Sequence, residues 1–332
     1  MWYLIPIYFV AIVCIFLLAV CLSTILNQLD RRTKISNVFL GGVVLAGVTS
    51  LPELFTTISS ACLLQEPNLA FGGILGSNIM DIFILSISIM VAGKLFLQSE
   101  INKCNLITTA FCLVVAIIVL IYSYLSSSFV IPTININAIS FLIVGLYILN
   151  LYLNRGDKKE EVCEPDSTSY RFSPAQLGWM FAGCGLLLIL FSIGLTYLTN
   201  VIADYYTINK NLAGALFIAI ATALPEIVTT ATFIKQKNYN LAVSNIVGGV
   251  AFNFLILAVA DIFYFKGSTF MQGESAQLLT IFTMISIVLL GTMLLLKKLV
   301  KNQNKVKWVY YTIPTIICVL TITYLVLAFI II

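Results

Sequence analysis

The chain of 332 residues is 60% hydrophobic and 10% charged, carries a net charge of +4 and contains no histidine. With a mean hydropathy of +1.04 it cannot present the polar exterior of a soluble globule, and it is expected in a lipid bilayer. The charge is a topology signal, described below, and no nucleic-acid partner is expected from it.

Apolar runs of about 20 residues, enough to cross roughly 30 Å of hydrocarbon, recur near 3–26, 37–65, 69–92, 105–127, 129–152, 174–200, 208–234, 239–264, 275–296 and 308–331. They predict an all-α integral membrane protein of ten transmembrane helices. The first run has no basic region before it and no small-residue cleavage motif after it, so it reads as a retained span. Short basic loops stay in the cytoplasm. The loops after spans one, three, five, seven and nine hold sixteen of the 18 Lys and Arg residues, leaving Lys210 and Lys266 for the other set. This segregation predicts a multi-pass protein of a plasma (inner) membrane, with both termini outside and the odd-numbered loops cytoplasmic. The eight cysteines are scattered, lack a CxxC pair and read as small apolar fillers.

The longest polar stretch, NRGDKKEEVCEPDSTSYRFSP at 154–174, reads as a solvated cytoplasmic connector. It divides the chain into a first five-helix repeat at 1–153, a charged linker at 154–173 and a second five-helix repeat at 174–332. Five is odd, so the second half enters the membrane from the opposite side, and similarity between halves makes an inverted-topology repeat. LPELFTT at 51–57 matches LPEIVTT at 224–230, and NLAFGGILGSNIMDIFIL at 68–85 matches NLAVSNIVGGVAFNFLIL at 240–257. Spans two and three therefore correspond to seven and eight, with two and seven broken at proline.

The chemistry sits in these repeated segments. Pro52 and Pro225 each remove a helical hydrogen bond, freeing carbonyls around Ala46 to Thr49 and Ala219 to Thr222. Freed backbone at membrane depth needs a cation or a water-filled cavity to satisfy it. Thr49, Glu53, Thr56 and Thr57 share one helical face, and Thr222, Glu226, Thr229 and Thr230 repeat it. Span three adds Ser77 and Asp81 on one face, and span eight adds Gly249 and Asn253. Of 14 acidic residues, Glu53, Asp81 and Glu226 alone lie deep within spans, where an ionised side chain costs roughly 2.5–3.5 kcal/mol on insertion scales. The donors are all oxygen, which suits hard cations such as Ca²⁺. Zinc, nickel and copper, which favour imidazole or thiolate, are disfavoured.

These residues resemble the alpha repeats of the sodium/calcium exchanger group within the cation/Ca²⁺ antiporter superfamily. GVTSLPE at 47–53 and GSNIMD at 76–81 match the first repeat, and TALPE at 222–226 with GGVAFN at 248–253 match the second. The resemblance implies a diamond of four ion sites built by spans two, three, seven and eight. Glu53 and Glu226 would be shared Ca²⁺ ligands aided by carbonyls near Thr49 and Thr222. Asp81 and Asn253 would take the other corners, and Ala46, Ser50, Ser77 and Ala219 would help hold sodium. The chain departs from the family at Ala223 and Gly249, where two side-chain oxygens for Na⁺ are missing.

The function expected is a secondary active antiporter exchanging Ca²⁺ for Na⁺ or H⁺ by alternating access. It is not an enzyme and has no cofactor; its partners are inorganic cations and the bilayer. A passive cation channel and a transport-inactive cation-binding relative are the alternatives. An intramembrane aspartyl protease is disfavoured because Asp81 and Asp261 lack its motifs. Mg²⁺ and Mn²⁺ share the oxygen preference, and oligomeric state is left open.

Overall fold

The computed structural model describes residues 4–33, 47, 49–93, 96, 99–125, 130–131, 136–154, 173–270, 273–300 and 307–330. Helix α1 spans Leu4–Thr33; α2 spans Leu51–Ile58 and runs into a π-helical turn at Ser59–Leu63; α3 is Pro67–Val91 and α4 is Lys103–Tyr124. A two-residue antiparallel pair, β1 (Val130–Ile131) and β2 (Ile136–Asn137), precedes α5 (Ala138–Leu153). Then come α6 (Pro174–Tyr205), α7 (Lys210–Ala213), a second π-helical turn at Gly214–Ile218, α8 (Ala219–Thr222) and α9 (Leu224–Lys235). Helices α10 (Tyr239–Phe263), α11 (Glu274–Leu299) and α12 (Val309–Ile330) complete the chain. Residues 37–46 of the expected second span, Ala46 among them, and 155–172 of the expected linker lie outside the described residues.

Among the described residues seven helices are long and apolar enough to cross a membrane, or eight when α7–α8 and α9, bent by 44°, count as one. Local sequence explains several boundaries. Ser173 caps α6 in a box, its hydroxyl accepting from Gln176 N at 3.2 Å while Gln176 Oε1 accepts from Ser173 N at 2.8 Å. Asn137 caps α5 by accepting from Ile139 N at 3.1 Å, and Asn238 caps α10 by accepting from Leu241 N at 3.1 Å.

Helices α3 and α10 form the centre: 67% of the most apolar window of each is buried, against 22% for α1 and α6. Helices α4, α5, α11 and α12 wall this pair in, around a core that includes Phe71, Ile82, Val115, Val243, Phe254 and Tyr310. Helices α1 and α6 pair with each other and expose broad apolar faces, as lipid-facing helices do. Among the described residues one cation is drawn inside: the buried Lys297 donates to the Phe96 carbonyl and lies 4.5 Å from the centre of the Phe96 ring.

The π-turn at Gly214 packs onto α3 without room for a side chain. A Cβ on Gly214 would lie 2.4 Å from Leu69 O and 2.5 Å from Gly73 N, and one on Gly72 would lie 2.0 Å from Asn211 O. Those obstacles are backbone and cannot rotate away. Gly178, on exposed α6, has no atom within 4 Å of its hypothetical Cβ. Gly214→Val is therefore expected to cost about 1–3 kcal/mol in the thermal unfolding of the detergent-purified protein, with Gly178→Ala near neutral; equal shifts would contradict this seam.

Candidate cation site

Two chain breaks position the two glutamates. Ser50 (φ −91°, ψ 13°) and Ala223 (φ −77°, ψ −5°) interrupt the helical path, and Pro52 and Pro225 follow at the start of α2 and α9. Proline is tolerated there because the first helical N–H groups have no intrahelical acceptor. Glu53 and Glu226 thereby fall in the first turn of a new helix, where unpaired N–H groups and the positive end of the helix dipole favour an anion.

The two breaks exchange partners. Thr222 lies beside Glu53, and Thr49 lies beside Glu226. Ser77 Oγ on α3 lies 3.3 Å from Thr222 Oγ1 on α8. Glu226 is within Coulombic reach of both Glu53 and Asp81. All are enclosed: Glu53 is 3% exposed, Glu226 4%, Asp81 3% and Asn253 1%.

The surroundings leave oxygen atoms unused. Glu53 Oε2, Glu226 Oε2, Asp81 Oδ1 and Asn253 Oδ1 are buried and have no hydrogen-bond partner among the described residues. Orphaned buried acceptors cost free energy unless something positive meets them. Among the described residues no three acidic, cysteine or histidine side chains converge as a ready-made metal cluster. A cation would draw on the amide, hydroxyl and carbonyl oxygens as well as the carboxylates, as a hard divalent ion does.

The remaining sequence candidates fall as follows. Ser50 is buried, makes no cap bond with its side chain, and its carbonyl accepts from Leu54 N at 3.0 Å. The Ala219 carbonyl is engaged by Ala223 N at 3.0 Å and Thr222 Oγ1 at 3.4 Å. Thr56 and Thr57 turn their hydroxyls to the backbone of Pro52 and Glu53, a local bond that threonine makes readily within helices. A Cβ at Gly249 would lie 3.7 Å from Asp81 Oδ2, so a side chain at 249 would begin beside that carboxylate.

Asn78, outside the candidate set, is completely buried, and its Oδ1 accepts from Asn253 Nδ2 at 3.0 Å; the same Nδ2 lies 3.4 Å from Asp81 Oδ2. A carboxamide in the apolar run beside Asp81 was the available signal. Asp261, also 0% exposed, behaves oppositely. Its Oδ2 accepts from Asn137 N (3.0 Å) and Ser140 Oγ (2.5 Å), and its Oδ1 from Thr269 N (2.7 Å), Ser268 Oγ (2.9 Å) and Thr269 Oγ1 (3.3 Å). That acid is saturated and ties β2, α5 and the segment after α10 together.

Comparison with known proteins gives this architecture its class. Residues 3–155 and 177–332 match the family described as sodium/calcium exchanger protein. Inner membrane protein YrbG of Escherichia coli (strain K12) is 28% identical over 238 residues, 69% of this chain and 70% of its own length. The putative antiporter CaxA of Alkalimonas amylolytica is 28% identical over 245 residues, 71% and 73% of the two chains. Among solved structures, native YfkE superposes with a TM-score of 0.70 over 96% of this chain and 92% of that one, and the H⁺/Ca²⁺ exchanger CAX with 0.63 over 96% and 87%. Both are 14% identical to it, a likeness of fold.

The fold is thus that of multi-pass membrane transporters. The chain belongs to the sodium/calcium exchanger protein family, whose members are transporters and not enzymes.

The contrast between satisfied and orphaned acids is measurable by thermal unfolding in detergent with divalent ions chelated. Asp261→Asn is expected to lower stability by about 1.5–3 kcal/mol, since donors lose a charged acceptor. Asp81→Asn is expected to leave stability unchanged or raise it, because it removes a buried charge that lacks an ionic partner. Equal losses in the two variants would contradict the contrast.

Proposed function

We propose that this chain is a secondary antiporter that exchanges Ca²⁺ for a monovalent cation by alternating access. One observation carries the reading: in a member of an exchanger family, Glu53 and Glu226 each hold an unpartnered oxygen inside the bundle, and each has beside it a threonine from the other's chain break. In this reading Glu53 and Glu226 are the shared Ca²⁺ ligands. Asp81, Asn253 and the oxygens of Thr49 and Thr222 complete the shell, and Ser50, Ser77 and Ala219 stand around it, with Ala46 assigned to the same role on its motif alone.

The architecture proposed with it is ten spans in two inverted five-helix repeats, 1–153 and 174–332, joined by a cytoplasmic linker at 154–173. Both termini face outward across a plasma membrane. The repeated motifs, the exchanged threonines and the segregation of basic residues support it. One repeat unit rocks or slides against the other around the fixed site, and only a charge-compensated site crosses readily, which is the physical origin of exchange.

For the counter-ion, one observation favours protons over sodium. Ala223 and Gly249 lack the hydroxyls that the family pattern supplies to Na⁺, whereas a proton needs only a titrating carboxylate.

The test is ⁴⁵Ca²⁺ flux in proteoliposomes under imposed pH or Na⁺ gradients. Flux driven by a pH gradient is expected, and Glu53→Gln or Glu226→Gln should cut it at least about 100-fold, the factor corresponding to about 2.8 kcal/mol of lost ion binding. The sign of the pH dependence follows from competition: protons and Ca²⁺ seek the same carboxylate oxygens, so apparent Ca²⁺ affinity falls as pH falls. Flux under a Na⁺ gradient alone would reassign the counter-ion. Absence of flux under either gradient, with the protein folded, would refute antiport.

A further inference from the structure

We infer that Thr230 is a further ligand for the transported cation: its hydroxyl joins the Glu226 carboxylate in holding the ion on the α9 side of the site. The inference rests on the proposed site built around Glu53 and Glu226 and adds one oxygen to it.

The repeated segment supplies an internal comparison. Two threonines follow each glutamate at three and four residues, Thr56 and Thr57 on α2, Thr229 and Thr230 on α9. A threonine inside a helix readily settles its hydroxyl on a carbonyl one turn back. Three of these four do so. Thr56 Oγ1 donates to Pro52 O at 2.8 Å, Thr57 Oγ1 to Glu53 O at 2.6 Å, and Thr229 Oγ1 lies 3.1 Å from Glu226 O and 3.2 Å from Pro225 O. Thr230 breaks the pattern: it is 0% exposed, yet its Oγ1 has no hydrogen-bond partner among the described residues. Threonine has two χ1 rotamers open to it in a helix, and at 230 the hydroxyl is turned off the Glu226 carbonyl that its counterpart Thr57 would use.

A buried hydroxyl without a partner costs free energy, and here the cost falls beside a bare carboxylate. Residues four apart share one helical face, with about 5–6 Å between Cβ atoms, and Glu226 Oε2 is itself unpartnered. A Ca²⁺-like ion takes about six to eight oxygens at about 2.3–2.6 Å, so it can touch two oxygens up to about 5 Å apart. The bare oxygens of Glu53, Glu226, Asp81 and Asn253 are too few for that shell. Ser23 Oγ and Ser192 Oγ are also buried and unbonded, but the described residues of α1 and α6 include no buried carboxylate. Neither serine has on its own helix a charged group with which to share an ion.

A ligand and a structural hydroxyl differ in what their removal does to stability. Thr230→Val exchanges the hydroxyl for a methyl group of nearly the same size, and Thr57→Val does the same at the counterpart that is bonded. The experiment is ⁴⁵Ca²⁺ flux in proteoliposomes, with thermal unfolding in detergent under chelation, for wild type, Thr230→Val, Thr230→Ser, Thr57→Val and Glu226→Gln. Thr230→Val is expected to raise the Ca²⁺ concentration for half-maximal flux about fivefold while its unfolding temperature stays level or rises, because an unmet polar group is gone. Thr230→Ser keeps the oxygen and is expected within about twofold of wild type. Thr57→Val is expected to unfold about 1–3 °C lower with half-saturation shifted less than about twofold.

An unshifted half-saturation in Thr230→Val, an equal shift in Thr230→Ser, or a fall in unfolding temperature in Thr230→Val matching that of Thr57→Val would overturn the role of Thr230. If Thr230→Val does not fold, Thr230→Ala is judged by its half-saturation against Thr230→Ser. Full flux in Glu226→Gln would overturn the proposed site and this inference with it. Loss of flux there, together with an unaffected Thr230→Val, would remove only the inference about Thr230.

Discussion

Three carboxylates enclosed in an apolar helical bundle without an ion pair set the terms for the rest of this molecule. The salt bridge among the described residues joins Lys210 to Asp204 and involves none of them. Charge in such a place is expensive, and burial as complete as that of Glu53, Asp81 and Glu226 marks a charge that has a use. The protein offsets part of the cost locally. It breaks the helical path at Ser50 and Ala223 so that each glutamate lies in the first turn of a new helix, at the positive end of its dipole, and it places a threonine from the opposite break beside each. It stops short of full satisfaction, leaving one oxygen on each carboxylate bare.

The incompleteness is what separates these acids from Asp261. Five donors from neighbouring segments surround Asp261, and a group so fully bonded has nothing left to offer a cation. The two arrangements share composition and burial and differ in the count of partners. Function in this chain is better read from that count than from the presence of a buried acid. The glycine seam serves the same end: with no side chain at Gly72 and Gly214, α3 and the π-turn approach at backbone distance, which brings Ser77 to Thr222. A π-turn adds one residue to a helical turn and often marks a functional segment.

Much of this is legible in the sequence, for identifiable reasons. Glu53, Asp81 and Glu226 stand out because they interrupt apolar runs, and Pro52 and Pro225 announce the breaks because proline cannot donate to the turn before it. The long apolar stretches of α3, α4, α6, α10, α11 and α12 are visible as hydropathy alone. What stays hidden is pairing between distant segments. Asn78 and Asn253 are 175 residues apart in the chain, and nothing local to either one names the other. Asp261 reads as an acid near a helix end, since its donors at 137, 140, 268 and 269 are gathered by folding. The π-turns at 59–63 and 214–218 have no composition of their own. The Ala219 carbonyl, expected to be freed by Pro225, keeps its ordinary helical bond from Ala223 N, because a proline at 225 removes the donor that would serve residue 221 and not residue 219.

The central claim is that one divalent cation bridges the bare oxygens of Glu53 and Glu226. The most direct measurement is anomalous X-ray scattering from crystals grown with a heavier alkaline-earth ion in place of Ca²⁺. A single strong peak within coordination distance of both Oε2 atoms is the predicted result. A peak bound elsewhere, or none at this position with the ion at saturating concentration, would contradict it.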